Sequence, residues 1–149
     1  MTITSKAFHW GDPIPAEYTC DGANVPPPLV FSEISPGITS LALLMEDPDA
    51  PSGTFVHWLI WNMKYDALGH TDPISDPYAM KGINSFGTTE YGGPCPPPGK
   101  PHRYYFRLYA LDTMLDLNEG ANKEPFQAAL KDHVLEKAEL MGTYGKITS

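Results

Sequence analysis

The sequence predicts a mainly β protein, a sandwich or barrel with one C-terminal α-helix. Three observations carry this reading: apolar segments that are short and strand-like, turn-rich stretches between them, and one stretch near the C-terminus whose apolar residues recur at helical spacing. The 16 prolines and 13 glycines supply the turns. With 149 residues, 42% of them hydrophobic and 19% charged, the chain is long enough to bury one core and reads as a single domain, 1–149.

Strands are expected at 2–8, 29–31, 40–46, 55–63 and 102–111, the middle three dense in β-branched and aliphatic residues. Asp12-Pro13, Asp21-Gly22, Pro26-Pro27-Pro28 and Ser35-Pro36-Gly37 break the chain between them. Side chains alternate along a strand. In 102–111, therefore, His102, Tyr104, Phe106, Leu108 and Ala110 face the core, while Arg103, Tyr105, Arg107 and Tyr109 face outward. In 55–63 both faces are apolar, Phe55, His57, Leu59 and Trp61 on one and Val56, Trp58 and Ile60 on the other, the pattern of a strand buried on both sides. From 123 to 141, Phe126, Leu130, Val134, Ala138 and Met141 recur every three or four residues, which predicts a helix lying as a cover on the sandwich. Pro125 and Glu124 suit its first turn and Gly142 its end. The segment 66–91, poor in apolar periodicity and carrying Asp72-Pro73, Asp76-Pro77 and Gly87, reads as a long surface excursion.

Ten basic against 18 acidic side chains give a net charge of −8, which disfavours nucleic acid and anionic membranes as partners. A small anion is not excluded, because a few donors converging in a pocket outweigh net charge at contact distance. No apolar run reaches the length of a membrane span, and Met1-Thr2-Ile3-Thr4-Ser5-Lys6 lacks the pattern of an export signal, so a cytoplasmic protein is expected. In that compartment Cys20 and Cys95 are expected as two free thiols rather than a disulfide, and their spacing offers no zinc cage.

Two segments combine polar, reactive side chains with a stiff backbone. In Asp47-Pro48-Asp49-Ala50-Pro51-Ser52-Gly53-Thr54-Phe55-Val56-His57-Trp58, a rigid loop follows one strand and delivers a histidine near the start of the next. Tyr91-Gly92-Gly93-Pro94-Cys95-Pro96-Pro97-Pro98-Gly99-Lys100-Pro101-His102-Arg103-Tyr104 does the same, with a tyrosine two residues after the histidine on the same face. Proline fixes φ, so such loops shape a pocket before a ligand arrives. If both strand starts lie at one end of the sandwich, His57, His102, Tyr104 and one aspartate converge.

The strings Asp47–Ser52, His57-Trp58, Gly93-Pro94 and His102-Arg103-Tyr104 resemble the two signature regions of the phosphatidylethanolamine-binding proteins, also called Raf-kinase-inhibitor proteins. Tyr18-Thr19-Cys20-Asp21-Gly22, Gly93-Pro94-Cys95-Pro96-Pro97 and Leu140-Met141-Gly142-Thr143-Tyr144-Gly145 are similar to its compact bacterial and archaeal branch. The resemblance implies a sandwich of two antiparallel sheets with a C-terminal α-helix and an anion pocket at one end, filled in relatives by phosphate, phosphoethanolamine or acetate. It implies pocket residues Asp47, Pro51, His57, His102 and Tyr104, with Pro94 and its neighbours as a wall and Asp49 as a brace for the loop. No metal, cofactor or catalytic residue is expected, because the sequence shows no nucleophile–base or metal-cage signature. A kinase or serine protease partner and a homodimer are roles known among relatives. Phe55 stands where many animal relatives have tryptophan, and the loop between Pro94 and His102 is one residue longer than theirs.

Simpler readings compete. His57 alone would be a core histidine, Tyr104 a core tyrosine, and Asp47 and Asp49 turn formers whose carboxylates accept backbone N–H groups. His9, His70 and His133 read as ordinary surface or helix residues. The alternative function is a metal-dependent or acid–base hydrolase built on the Asp/His/His set. Against it, the sequence holds no Gly-x-Ser-x-Gly elbow, no His-Glu-x-x-His and no glycine-rich phosphate loop.

Overall fold

The computed structural model describes residues 1–65 and 76–146. Residues 66–75 of the expected surface excursion, with His70, lie outside the described residues. Strand β1 (Thr2–Thr4) pairs antiparallel with β2 (Val30–Ser32) in a two-stranded sheet. A five-stranded antiparallel sheet runs in the order β5-β4-β3-β6-β7, from β3 (Ser40–Asp47), β4 (Phe55–Met63), β5 (Met80–Lys81), β6 (His102–Leu111) and β7 (Val134–Tyr144). A 3-10 turn spans Ala16–Tyr18, and among the described residues the one α-helix, α1, spans Lys123–Leu130.

The large sheet is buried on both faces, which is why β3 and β4 read as nearly continuous apolar runs. Every residue of β3 is buried. Its Leu41, Leu43 and Met45 pack inward with Ile3, Phe31 and Phe106, between the sheets. Ala42 and Leu44 pack on the other face with Leu59, Trp61, Phe126 and Leu130, so α1 is the expected cover. The charged end of that outer face is satisfied rather than exposed: Glu46 accepts from Arg107 Nε at 2.9 Å and from Lys123 Nζ at 2.6 Å, tying the first residue of α1 to the sheet.

Three elements differ from expectation, one being β5, a short strand paired to β4 inside the stretch 66–91 expected as a surface excursion. Strand β1 stops at Thr4 because the Ser5 hydroxyl takes the Ala7 N–H at 3.0 Å and turns the chain out of the ladder. The expected helix 123–141 ends at Leu130; Asp132 adopts φ 67° and the chain continues as β7, paired to β6 from Leu111↔Val134 to His102↔Tyr144. Val134, Ala138 and Met141 are strand residues. The four-residue spacing from Phe126 to Ala138 fits a helix and also every second inward position of a strand, so it could not separate the two; Met141, three residues on, falls on the other face of β7.

Candidate functional site

The site is built where β3 ends and β4 and β6 begin. Antiparallel pairing of β3 with both neighbours puts the end of the first beside the starts of the other two, and Asp47 pairs with Phe55 while Glu46 pairs with Tyr105. Asp47, Pro51, His57, His102 and Tyr104 line one cavity of about 170 Å³, with Ala50, Phe55, Cys95, Pro96 and Pro97 completing its wall. Pro94 does not line it. That residue is buried one step behind the wall, where its carbonyl accepts the Cys20 N–H at 3.1 Å.

His57 reaches the cavity through a β-bulge. Met45 pairs with Trp58 and Glu46 with Val56, so His57 is the extra residue. The bulge reverses the alternation. Strict period two groups Phe55 and His57 with Leu59 and Trp61 on the helix-covered face; past the bulge they turn inward, and the His57 ring lies edge-to-face with Tyr104 at 5.3 Å and 5.0 Å from Phe55. The backbone groups released from the ladder are recovered by the chain at 84–92. Ser85 bonds Val56 through both its hydroxyl and its N–H at 2.8 Å, and Gly92 N–H donates to the His57 carbonyl at 3.1 Å. Buried Asn84 holds this loop by donating to the Glu90 carbonyl at 2.7 Å and accepting from Phe86 N–H at 2.9 Å.

The ring tautomers follow from partners that can only accept. His57 Nδ1 donates to the Gly92 carbonyl at 2.6 Å, and His102 Nδ1 donates to Asp47 Oδ2 at 2.7 Å, leaving Nε2 of each ring for the cavity. Asp47 is 3% exposed and spends its other oxygen on the Asp49 N–H at 2.7 Å. Burial pushes the His57 pKa down, against the smaller upward pull of its bond to Gly92 and the charge of Asp47. Tyr104 is fully buried, and its hydroxyl makes no well-formed hydrogen bond among the described residues, the Asp47 carboxylate being the acceptor that bears on it. Burial first, then the charge of the nearby Asp47 carboxylate and its pull on the hydroxyl proton, raises its pKa and keeps the phenol protonated, a donor in the wall of the cavity.

Asp49 serves as the expected brace. It accepts from the Arg103 N–H and Nε at 2.9 Å and from Nη2 at 2.8 Å, and this forked bond to Arg103 lowers its pKa to about 2. His9 and His133 sit outside the site beside Asp12 and Asp112. The free-thiol expectation is overturned: Cys20 and Cys95 form a disulfide, their Cα atoms 5.4 Å apart. It had rested on compartment, whereas the fold brings the loops at 19–24 and 92–97 into contact. Gly93 makes that contact close, since a Cβ there would stand 2.3 Å from the Tyr18 carbonyl oxygen. Not among the expected site residues were Ala50, Phe55, Gly92 as the partner of His57, and Asn84; the signal for Gly92 was its place two residues ahead of Pro94. A larger cavity of about 220 Å³, bounded by Trp58, Ile60 and Tyr91, holds none of the expected residues and is not where donors converge.

Comparison with known proteins places the whole chain. Residues 4–145 match the family model described as phosphatidylethanolamine-binding protein. A relative from Methanothermobacter thermautotrophicus, described as a UPF0098 protein, is 46% identical over 149 residues, 97% of this chain and 98% of its own. Another UPF0098 protein, from Chlamydia muridarum, is 44% identical over the same shares of each chain. A phosphatidylethanolamine-binding-protein homolog of known structure from Chlamydia trachomatis is 40% identical with a TM-score of 0.89, covering 98% of this chain and 97% of that one. Escherichia coli YbcL, described as a member of the mammalian family, is 26% identical with a TM-score of 0.88 over 98% of both chains. No helix of the described residues is long and apolar enough to cross a membrane. The chain belongs to the phosphatidylethanolamine-binding protein family, and that membership supports a ligand-binding protein in general.

Proposed function

We propose that the cavity binds a small, proton-bearing oxyanion such as hydrogen phosphate or a phosphomonoester, and that the protein is a binding protein rather than an enzyme. The observation that carries this reading is the Tyr104 hydroxyl, a buried donor that makes no well-formed hydrogen bond among the described residues, beside two histidines whose Nδ1 atoms are already bonded. The two rings play different roles. His102 backs onto the Asp47 carboxylate, which offsets the positive charge of an imidazolium donating to the anion through Nε2. His57, kept neutral by burial, offers an Nε2 lone pair that accepts the remaining proton of the oxyanion. Binding therefore strengthens as pH falls from about 8 towards 6, since the complex holds more protons than its separated parts.

The hydrolase alternative gains no support from the arrangement. Among the described residues no three His, Cys, Asp or Glu side chains stand where they could share an ion, and Asp47, the one carboxylate in the cavity, is held by His102 and the Asp49 N–H. The test is a titration of inorganic phosphate followed by the ring 15N resonances of His57 and His102. Saturable shifts of both rings, with His102 moving to the imidazolium pattern, are expected; rings unmoved at millimolar phosphate refute the reading.

A further inference from the structure

The segments Tyr18–Gly22, Gly93–Pro97 and Leu140–Gly145 meet in one corner. There the Cys20–Cys95 disulfide, both of whose residues are exposed, adjoins Lys146, whose Nζ lies 3.8 Å from the Cys20 sulfur and 4.0 Å from that of Cys95. Asp21 joins the cluster, ion-paired with Lys146 at 3.5 Å and accepting from the Tyr144 hydroxyl. The two cysteines are not equivalent: Cys95 lines the cavity and Cys20 does not. Beyond Pro94 the wall is also thinly held. Pro96, Pro97, Pro98 and Pro101 have no N–H to donate, and the disulfide is its covalent anchor ahead of His102.

We propose that this disulfide is exchange-active, and that its reductant is a small thiol bearing a carboxylate or phosphate, captured by its anionic group in the cavity and reacting at Cys95. The inference rests on the anion reading of that cavity. The incoming thiolate attacks the Cys95 sulfur, forming a mixed disulfide; the Cys20–Cys95 bond breaks and Cys20 leaves with the electron pair as a thiolate beside the Lys146 ammonium. A second thiolate attacks the small-molecule sulfur of the mixed disulfide and releases Cys95. Two thiols are oxidised to one disulfide, the protein disulfide is reduced to two thiols, and the protons lost by the former are regained by the latter. The reduced protein has a wall untied from the 19–24 loop, so the reaction also lowers the affinity of the cavity for its anion.

The experiment compares 3-mercaptopropionate with uncharged 2-mercaptoethanol on the oxidised protein, rates being normalised to thiolate concentration and followed by intact mass and peptide mapping. Without capture, a protein of net charge −8 repels the charged thiol and reacts with it more slowly. With capture, 3-mercaptopropionate reacts about tenfold faster, the worth of one charge-assisted hydrogen bond. Its rate saturates with concentration, falls when inorganic phosphate is added, and yields the mixed disulfide on Cys95. In His102→Ala that advantage vanishes, the 3-mercaptopropionate rate falling to or below the 2-mercaptoethanol rate of the same variant. Equal or slower reaction of the charged thiol, insensitivity to phosphate, a mixed disulfide on Cys20, or two free thiols in the untreated aerobic protein each overturn the proposal. Calorimetric phosphate binding by the same sample separates the two ideas: phosphate bound without any rate advantage sinks the exchange alone, and no phosphate binding sinks the anion reading beneath it.

Discussion

At the scale of single residues, Tyr104 makes opposite predictions for folding and for binding. A buried hydroxyl that makes no well-formed hydrogen bond costs stability, so Tyr104→Phe should leave the fold as stable as the wild type or up to about 1 kcal/mol more stable in chemical denaturation. A tyrosine whose hydroxyl served only the core would lose stability instead. His57 makes a pH prediction. Its folded pKa is held down by burial, so the unfolded chain takes up a proton at about 6.5 while the folded protein resists until lower pH. The stability of neutral His57 is thus fully present above 6.5 and is lost as pH falls below it. Wild type should lose more stability than His57→Gln between pH 7.5 and 5.5, measured by urea unfolding at each pH. The histidines and Tyr104 were legible because each stands at a strand start after a proline-rich loop. The difference between the rings was not, since it depends on Asp47 standing behind one and a carbonyl behind the other.

At the scale of elements, alternation told which side of β6 faces the core, because no bulge interrupts that strand between His102 and Ala110. It failed for the first residues of β4, where one extra residue at His57 turns the side chain to the other face, and for β7, where an apolar spacing of four suits helix and strand alike. Asp132 marks the junction the period missed. Its φ of 67° is a conformation that disfavours a Cβ, so Asp132→Gly should raise stability by roughly 0.5–1 kcal/mol without altering a circular dichroism spectrum dominated by strand. Gly93→Ala should do the reverse. The added methyl meets the Tyr18 carbonyl and Asn24 Oδ1, and the resulting strain should destabilise the protein by about 1–3 kcal/mol, read from the denaturation midpoint.

For the whole molecule, the five-stranded sheet is the scaffold and the cavity is a consequence of its order. With β3 central and antiparallel to both neighbours, the loops after β3 and before β6 must meet at one end, and the covalent tie between Cys20 and Cys95 fixes the third wall. That tie closes a separation of 75 residues, so its removal in Cys20→Ser/Cys95→Ser should cost about 2–5 kcal/mol of stability. The account as a whole turns on how the cavity holds its ligand, and calorimetric titration of inorganic phosphate at pH 6.5 into wild type, Tyr104→Phe and His133→Ala tests it most directly. Wild type and His133→Ala should bind alike, and Tyr104→Phe should bind more weakly by about 1.5–3 kcal/mol while remaining folded. Equal binding by folded Tyr104→Phe would contradict the account.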